Sequence, residues 1–184
     1  MHARNFIGAL SAIFYAAAVV YPAAATADPN ESPSLALCTF NAHEVMTPPA
    51  TLTPEPLNDS GNGPITCTGR LGGKTFDGRP GFATWDAQTG LGIFGIRNIS
   101  DCIANTGTGR MTMSLIASDG TPFELSGTLF YGGVGPFGLM TGAAGGYKLT
   151  TASVSGPDPD HLDENCITVP MQHVVTTAAV LLQG

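Results

Sequence analysis

The clearest structural signal in the chain lies between Met111 and Phe130, which read Met-Thr-Met-Ser-Leu-Ile-Ala-Ser-Asp-Gly-Thr-Pro-Phe-Glu-Leu-Ser-Gly-Thr-Leu-Phe. Apolar and polar side chains alternate on both sides of the central Ser-Asp-Gly. Alternation of this kind places every second side chain on one face of a β-strand, and an Asp-Gly pair favours a tight hairpin turn. The stretch therefore predicts two antiparallel strands, Met111–Ala117 and Phe123–Phe130, each with one apolar face.

Further segments of the same character follow one another along the chain. They are separated by turns rich in Gly, Asp and Pro, and no amphipathic helical period lies between them. We therefore expect an all-β fold of about eight or nine antiparallel strands. The remaining predicted strands are Ser34–Val45, Ile65–Leu71, Gly81–Trp85, Leu91–Ile99, Phe137–Thr141, Tyr147–Ser155 and Ile167–Leu182.

Glycines inside or beside these strands favour a single closed barrel over a barrel-like sandwich. Glycine in a strand commonly marks a bulge or a sharp bend at which a sheet curls. The glycines in question are Gly92, Gly95, Gly127, Gly135 and Gly138.

The composition excludes several classes of protein. Charged residues make up 11% of the 184 residues and hydrophobic residues 43%. These values exclude a coiled coil, a helical bundle and a highly charged disordered chain. The formal net charge of −7 and the scattering of only seven Lys and Arg residues argue against a nucleic-acid partner.

The first 27 residues have the pattern of a secretory signal peptide. A short basic region precedes an apolar run from Phe6 to Tyr21, and the small residues Ala25-Thr26-Ala27 follow it. We therefore expect residues 1–27 to be removed and residues 28–184 to form one secreted all-β domain, extracellular or in the cell envelope. Within it, 28–33 is expected to fray and 47–63 to form a proline-rich loop, and no later stretch predicts a transmembrane segment.

The four cysteines predict two disulfides, because an even number in an exported chain is typical of structural bridges. No Cys-x-x-Cys motif indicates a zinc or redox site. Because the Cys38 and Cys67 strands flank the proline-rich loop, and Cys102 and Cys166 each precede a strand, we expect Cys38–Cys67 and Cys102–Cys166. Pairing of Cys38 with Cys166 remains an alternative.

The glycine-rich stretch from Ser126 to Tyr147 resembles a hairpin of the allene-oxide-cyclase and dirigent-type barrels. In those families an apolar strand leads into a Thr-Gly-x-x-Gly-x-Tyr turn, which Thr141, Gly142, Gly145 and Tyr147 match approximately, with Gly145 one place early. The segment Cys67-Thr68-Gly69 is also similar to a strand of small exported actinobacterial proteins of unknown function. The resemblance implies a barrel. It carries over no catalytic residue.

Signatures of nucleophilic and cofactor chemistry are absent from the sequence. The chain contains no Gly-x-Ser-x-Gly, no Ser-x-x-Lys, no Walker loop and no dinucleotide-binding glycine motif. No pair of histidines has metal-ligand spacing along one strand. We therefore predict no catalytic residue, no cofactor and no metal.

Two histidines and one acidic loop remain as candidates for chemistry. His173 lies in the last predicted strand, where it could face the barrel interior and act as a base, and His43-Glu44 ends the first strand. An ordinary role in the sheet is the commoner one for both. The acidic run Asp158–Glu164 offers oxygen ligands for Ca²⁺ but lacks the glycine of an EF-hand loop, and His161 lies within it, so we interpret it as a solvated loop.

The apolar strand faces predict the most probable place for a ligand, inside the barrel. Its residues would be Trp85, Met111, Met113, Leu115, Met140, Tyr147 and His173. Flexible methionines and aromatic rings suit a small apolar ligand, although a filled core would use the same residues.

Two functions therefore remain. The favoured one is a non-enzymatic exported barrel that binds a small apolar ligand, an unknown protein partner or the cell envelope. The alternative is a cofactor-free cyclase or isomerase that acts on a small apolar substrate. A hollow interior with an inward-facing acid would favour the enzyme.

We predict that the exported protein begins at Asp28, because signal peptidase cleaves after an Ala-x-Ala box. Amino-terminal sequencing of the protein recovered from the medium of an expressing bacterium checks this. An amino terminus at or before Phe6 would show that the apolar run is retained.

Overall fold

The computed structural model describes residues 34–87 and 99–184, and these residues form nine β-strands. The described residues contain no helix that is long and apolar enough to cross a membrane. The strands are β1 (Leu35–Ala50), β2 (Asn58–Leu71), β3 (Lys74–Ala87), β4 (Ile99–Ser100), β5 (Ala104–Ile116), β6 (Pro122–Val134), β7 (Phe137–Ala144), β8 (Tyr147–Pro157) and β9 (Met171–Gln183).

Eight of the strands close into a single antiparallel barrel. Their order around the ring is β3-β2-β1-β9-β8-β7-β6-β5, and pairing of β3 with β5 closes it. The two-residue β4 pairs with the first residues of β5 and is not one of the eight strands of the ring. The predictions of an all-β fold and of an antiparallel barrel of eight or nine strands are therefore confirmed.

The hairpin between β5 and β6 has the predicted strands and turn. Met113 lies opposite Leu125, and the pairing runs without a shift up to Ile116 and Pro122. In the turn, the Asp119 carboxylate accepts a hydrogen bond from the Thr121 backbone N–H at 2.9 Å, and Gly120 has a φ of 84°. The turn therefore depends on the Asp-Gly pair, whose glycine adopts the left-handed conformation without a steric cost.

Apolar side chains that point inward fill one half of the barrel. They come from the last parts of β2, β5, β7 and β9 and from the first parts of β1, β3, β6 and β8. Most are less than 4% exposed. Phe76 and Phe123 meet edge to face at a centroid distance of 5.6 Å. The largest fully buried residues of this core include Ile65, Leu71, Met113, Leu115, Leu129, Leu149, Val180 and Leu182.

Glycines allow the strands to approach closely where the sheet curls. A Cβ atom at Gly127 would collide with the Ala143 carbonyl on β7, and one at Gly63 would collide with the Asn41 carbonyl on β1. Only glycine fits where a neighbouring backbone comes this near. Gly127 is one of the glycines predicted to mark a bend of the sheet, and the close approach of β7 explains why this position requires a glycine.

The proline-rich loop is shorter than predicted. Residues 51–57 form it, because β1 continues to Ala50 and β2 begins at Asn58, rather than the loop spanning 47–63. Pro48 and Pro49 lie where the pairing of β1 with β9 shifts register, between Val45 and Ala50. A bulge tolerates residues that cannot donate a ladder hydrogen bond, so prolines did not end the strand.

Other strand boundaries also differ from the predicted ones: β3 begins at Lys74 instead of Gly81, and β5 begins at Ala104 instead of Met111. The last strand begins at Met171 instead of Ile167, because residues 158–170 form turns. Most of the strand predicted over Leu91–Ile99 lies outside the described residues, as do residues 1–33.

Both expected disulfides are formed. Cys38 pairs with Cys67 between adjacent β1 and β2 positions whose Cα atoms are 4.0 Å apart. Cys102 pairs with Cys166 at a Cα distance of 6.1 Å and ties the segment before β5 to the loop before β9. All four cysteines are thus paired, which is consistent with an extracellular or otherwise oxidising environment.

We predict that the unreduced protein contains no titratable thiol, because all four sulfur atoms are bonded in pairs. Thiol titration in denaturant should give a value near zero, and peptide mapping should link Cys38 to Cys67 and Cys102 to Cys166. A peptide that joins Cys67 to Cys102 would contradict this pairing.

Candidate active site at one end of the barrel

The half of the barrel opposite the packed core is hollow. It holds a pocket of about 310 Å³ where β1, β3, β6 and β8 end and β2, β5, β7 and β9 begin. Each of the eight barrel strands contributes a lining residue. One from each is Glu44, Asp59, Trp85, Asn105, Tyr131, Met140, Ser153 and Thr176.

Two carboxyl groups face this pocket from neighbouring strands. Glu44 lies on β1 in phase with the buried residues Phe40 and Ala42. Its pairing partner on β2 is Gly61, two residues after Asp59. Glu44 and Asp59 are therefore diagonal neighbours on one face of the sheet, close enough for long side chains to interact.

Glycines provide the space for these side chains. A Cβ atom at Gly61 would meet the Glu44 Cγ atom at 2.5 Å, so the absence of a side chain there lets the Glu44 stem lie across β2. On β5, a Cβ atom at Gly109 would overlap the Trp85 ring. Gly61 thus leaves room for the Glu44 side chain, and Gly109 leaves room for the Trp85 indole.

Glu44 is held protonated at neutral pH by its surroundings. The pKa of its carboxyl group is raised from 4.5 to about 8, mainly by burial and also by the charge of Asp59, against the lowering effect of a hydrogen bond with Thr176. The Thr176 hydroxyl is also 2.7 Å from the Ser155 hydroxyl, which fixes its position. Glu44 is consequently a buried carboxylic acid able to donate a proton.

Asp59 is the more acidic member of the pair. Burial raises its pKa from 3.8 to about 6, against the lowering effect of the hydrogen bond that Trp85 Nε1 donates to its Oδ2 atom at 3.4 Å. Its other oxygen, Oδ1, is buried and has no hydrogen-bond partner among the residues that the structure describes. Asp59 is thus the member of the pair that ionises at the lower pH, and its Oδ1 atom lies in a poorly solvated site.

Tyr131 supplies a second hydroxyl to the same pocket. Its ring meets Trp85 edge to face at a centroid distance of 5.4 Å. Burial raises the pKa of the phenol, and the charges of Asp59 and Glu44 raise it further, so the group remains a neutral donor. The pocket therefore combines a carboxylate base with the neutral O–H groups of Glu44 and Tyr131, among others.

This combination is suited to proton transfer. A general base and a general acid have the greatest effect when their pKa values lie near the working pH. Carboxyl groups whose environments separate their pKa values assume opposite roles. Asp59 at about 6 and Glu44 at about 8 lie on either side of neutral pH.

The structure brings two of the predicted ligand residues into the pocket. Trp85 and Met140 line it. Met111, Met113 and Leu115 point inward, as predicted, but they are at most 2% exposed, belong to the packed core and do not line the pocket. The ligand role expected for these three residues is not supported by this pocket, and it stays a prediction.

Tyr147 and His173 lie away from the pocket. Tyr147 packs against Phe123 in the core half of the barrel, at a centroid distance of 6.3 Å. His173 does not face the interior: the buried side chains of β9 begin at Val174 and continue with Thr176. The ring of His173 instead contacts Glu164 in the loop before β9.

Glu44 was a candidate for chemistry only together with His43, and Asp59 was not a candidate. A signal for the orientation of Glu44 existed, since it continues the alternation of Phe40 and Ala42, but an ordinary role in the sheet was taken as the commoner one for His43-Glu44. Asp59 lay in the segment interpreted as a loop, so no face could be assigned to it.

The fold and the pocket together define a closed eight-stranded antiparallel barrel with an acidic internal site. Comparison with protein-family models, curated proteins and solved structures finds no match to this chain. The resemblance to allene-oxide-cyclase and dirigent-type barrels stays a prediction, and the argument for function depends on the site itself.

We predict that Glu44→Gln stabilises the protein at alkaline pH. Because the folded-state pKa of Glu44 is about 8 against an ordinary 4.5, the folded state binds this proton more tightly, and stability is lost as pH rises between these values. Glutamine cannot ionise, so the melting temperature should exceed that of the wild type by roughly 5 °C or more near pH 8.5.

The matched control is Glu124→Gln, which removes a carboxylate from the exposed face of β6. Thermal melts of both variants from about pH 4.5 to 8.5 make the comparison. A difference between Glu44→Gln and the wild type that does not change with pH would mean that Glu44 ionises normally.

Proposed function

We propose that this protein is a cofactor-free isomerase or cyclase that moves a proton within a small apolar substrate carrying a carbonyl group. The observation that carries the proposal is the Asp59 Oδ1 atom, which has no hydrogen-bond partner in the described part of the chain and lies beside the buried Glu44 carboxyl group, in a pocket with aromatic and methionine walls. An inward acid in a hollow barrel is the feature that favours an enzyme over a binding protein.

Each polar group has a definite role in this reaction. Asp59 Oδ1 removes a proton from the carbon next to the carbonyl, and the C–H electron pair moves to the carbonyl oxygen to give an enol or enolate. The Glu44 carboxyl and the Tyr131 hydroxyl donate hydrogen bonds to that oxygen. Asp59 then returns the proton to another carbon, so the product is an isomer and no cofactor is consumed.

Protonated carboxyl groups are effective donors in this setting. A neutral acid kept in an apolar site, together with a tyrosine, stabilises a developing enolate in enzymes that use an aspartate base. Donors that are already oriented need no reorganisation as charge develops. The raised pKa of Glu44 and of Tyr131 supports this role.

The rest of the pocket favours an apolar substrate body. Met46, Met140, Met171 and Val174 line it together with Trp85. Methionine adapts its shape to irregular apolar groups, and a dry wall strengthens the interaction of the acids with a bound carbonyl. A volume of about 310 Å³ limits the substrate to a small molecule.

We place this activity outside the cytoplasm. The signal-peptide pattern of residues 1–27 supports export, and the two disulfides support an oxidising compartment. An enzyme that works there without a supply of soluble cofactors benefits from a reaction that its own side chains can catalyse.

Binding without turnover is the second candidate function. The methionine and aromatic wall favours it, since such a wall also suits a carrier of small neutral apolar molecules. In that case Asp59 and Glu44 would serve to hydrogen-bond a polar end of the ligand.

Deuterium exchange separates the two functions. Small cyclic ketones and β,γ-unsaturated ketones are incubated with the protein in D₂O, and exchange next to the carbonyl is followed by proton NMR. We expect the wild-type protein to catalyse exchange faster than buffer alone. Asp59→Asn should reduce this rate enhancement about 10²–10⁴-fold, which is the usual contribution of a general base. Glu44→Gln should lose a similar factor, while Glu124→Gln should keep the full rate.

Binding of the same ketones is measured by fluorescence of Trp85, the only tryptophan in the chain. If Asp59→Asn binds as the wild type does but exchanges more slowly, Asp59 acts in the chemical step. If every ketone that shifts Trp85 fluorescence exchanges only at the buffer rate, the protein is a binding protein and the enzymatic proposal fails.

A further inference from the structure

The loop before β9 folds against the outer face of the barrel and brings two histidines and a glutamate together. His161 and His173 stack with ring centroids 3.7 Å apart and an interplanar angle of 13°. Both Nδ1 atoms face Glu164 Oε1, at 3.6 Å from His161 and 2.7 Å from His173. The three donor atoms all lie within 4.8 Å of one another.

Glu164 is fixed in position before any ligand arrives. Its Oε2 atom accepts hydrogen bonds from the backbone N–H groups of Gln172 and His173, both at 2.7 Å. Its side chain is only 9% exposed. This arrangement leaves Oε1 directed at the two imidazoles, and a carboxylate oriented by hydrogen bonds is what supports ligand positions in metal sites.

The loop itself is restrained on both sides of the cluster. Backbone hydrogen bonds run from His161 N–H to the Asp158 carbonyl at 2.9 Å and from Glu164 N–H to the His161 carbonyl at 3.1 Å. Two residues after Glu164, Cys166 is tied to Cys102 by the disulfide. The chain therefore holds His161 and Glu164 beside β9 without help from a ligand.

We propose that His161, Glu164 and His173 form a binding site for a divalent transition-metal ion, with Zn²⁺ as the preferred ion. Two imidazoles and one carboxylate are a common set of protein ligands for zinc, and they leave a coordination position for water or another ligand. With metal–ligand bonds of about 2.0–2.2 Å, tetrahedral donors lie about 3.3–3.5 Å apart. The donor atoms are already close to these separations, and binding requires the two stacked rings to turn so that both nitrogen lone pairs point at the ion.

The same residues do not suit calcium. Ca²⁺ takes six to eight oxygen ligands, whereas imidazole nitrogen selects transition metals. The neighbouring Asp158 is already engaged, because its Oδ1 accepts the Asp160 N–H at 2.9 Å and its Oδ2 lies 3.1 Å from His43 Nδ1. The acidic loop that sequence inspection interpreted as solvated thus supplies one carboxylate to a mixed nitrogen and oxygen site.

This proposal is independent of the proposed enzymatic function. His173 and Val174 are successive residues of β9, so their side chains point to opposite faces of the barrel wall, and only Val174 lines the pocket. Metal binding outside the wall neither requires nor excludes proton transfer inside it.

Isothermal titration calorimetry with ZnCl₂ tests the site, on protein with intact disulfides and no histidine tag. We expect one ion per chain for the wild type, and at least a tenfold loss of affinity in His161→Ala and in Glu164→Gln. The matched control is His43→Ala, which removes another histidine of the same outer surface that is paired with Asp158. It should bind zinc like the wild type.

Visible absorption of the Co²⁺-substituted protein reports the ligands directly. Nitrogen and oxygen coordination in a four- or five-coordinate site gives d–d bands without a thiolate charge-transfer band, and Zn²⁺ should displace them. Because His161 is 41% exposed on its side chain, its replacement should leave the apo-protein melt unchanged. No saturable binding to the wild type, or equal weakening by His43→Ala, would overturn the proposal.

Discussion

Closure of the barrel between β3 and β5 is the constraint on which the pocket depends. The pairing runs from Phe82 opposite Ser114 to Ala87 opposite Gly109. At this seam Trp85 lies above Gly109, which has no side chain to displace the indole. The indole then donates its N–H to Asp59 on the next strand. One closing contact therefore positions both the wall of the pocket and its base.

The two halves of the interior follow from residue size along each strand. Where Leu, Ile, Met and Phe point inward, the side chains meet across a barrel of eight strands and fill it. Where the inward residues are Glu44, Asp59 and small residues such as Ser153, the space is not filled. Burying carboxyl groups costs free energy unless they are neutral or paired, which is why the pKa of both acids rises in the same place.

Local patterns predicted most of the fold. Alternation and the Asp119-Gly120 turn defined the β5–β6 hairpin, and the cysteines predicted both bridges. The alternation and the turn involve residues that are close together in the sequence. The bridges follow from the tendency of an even number of cysteines in an exported chain to pair. The path of β1 beyond Val45 could not be predicted this way, because Pro48 and Pro49 oppose strand structure locally and only the bulge opposite β9 accommodates them.

The site was less predictable for a related reason. A pocket is a property of side chains brought together from all eight strands, and a strand face shows which residues point inward but not which of them meet a partner. Trp85 and Met140 were found because apolar residues inside a barrel are expected. Glu44 was considered only beside His43, because the default place for an acid is the surface, and Asp59 lay in the segment predicted to be a loop.

Strand β9 shows how little separates the two faces. Its buried residues, Val174 and Thr176, line the pocket, whereas His173 contacts Glu164 outside. A slip of one residue in its pairing with β1 would exchange these faces completely. The register is fixed by Ala178, Val180 and Leu182, which are at most 1% exposed in the core. Packing at the filled end of the barrel thus determines, several residues away, that Thr176 reaches Glu44 and that His173 reaches the outer loop.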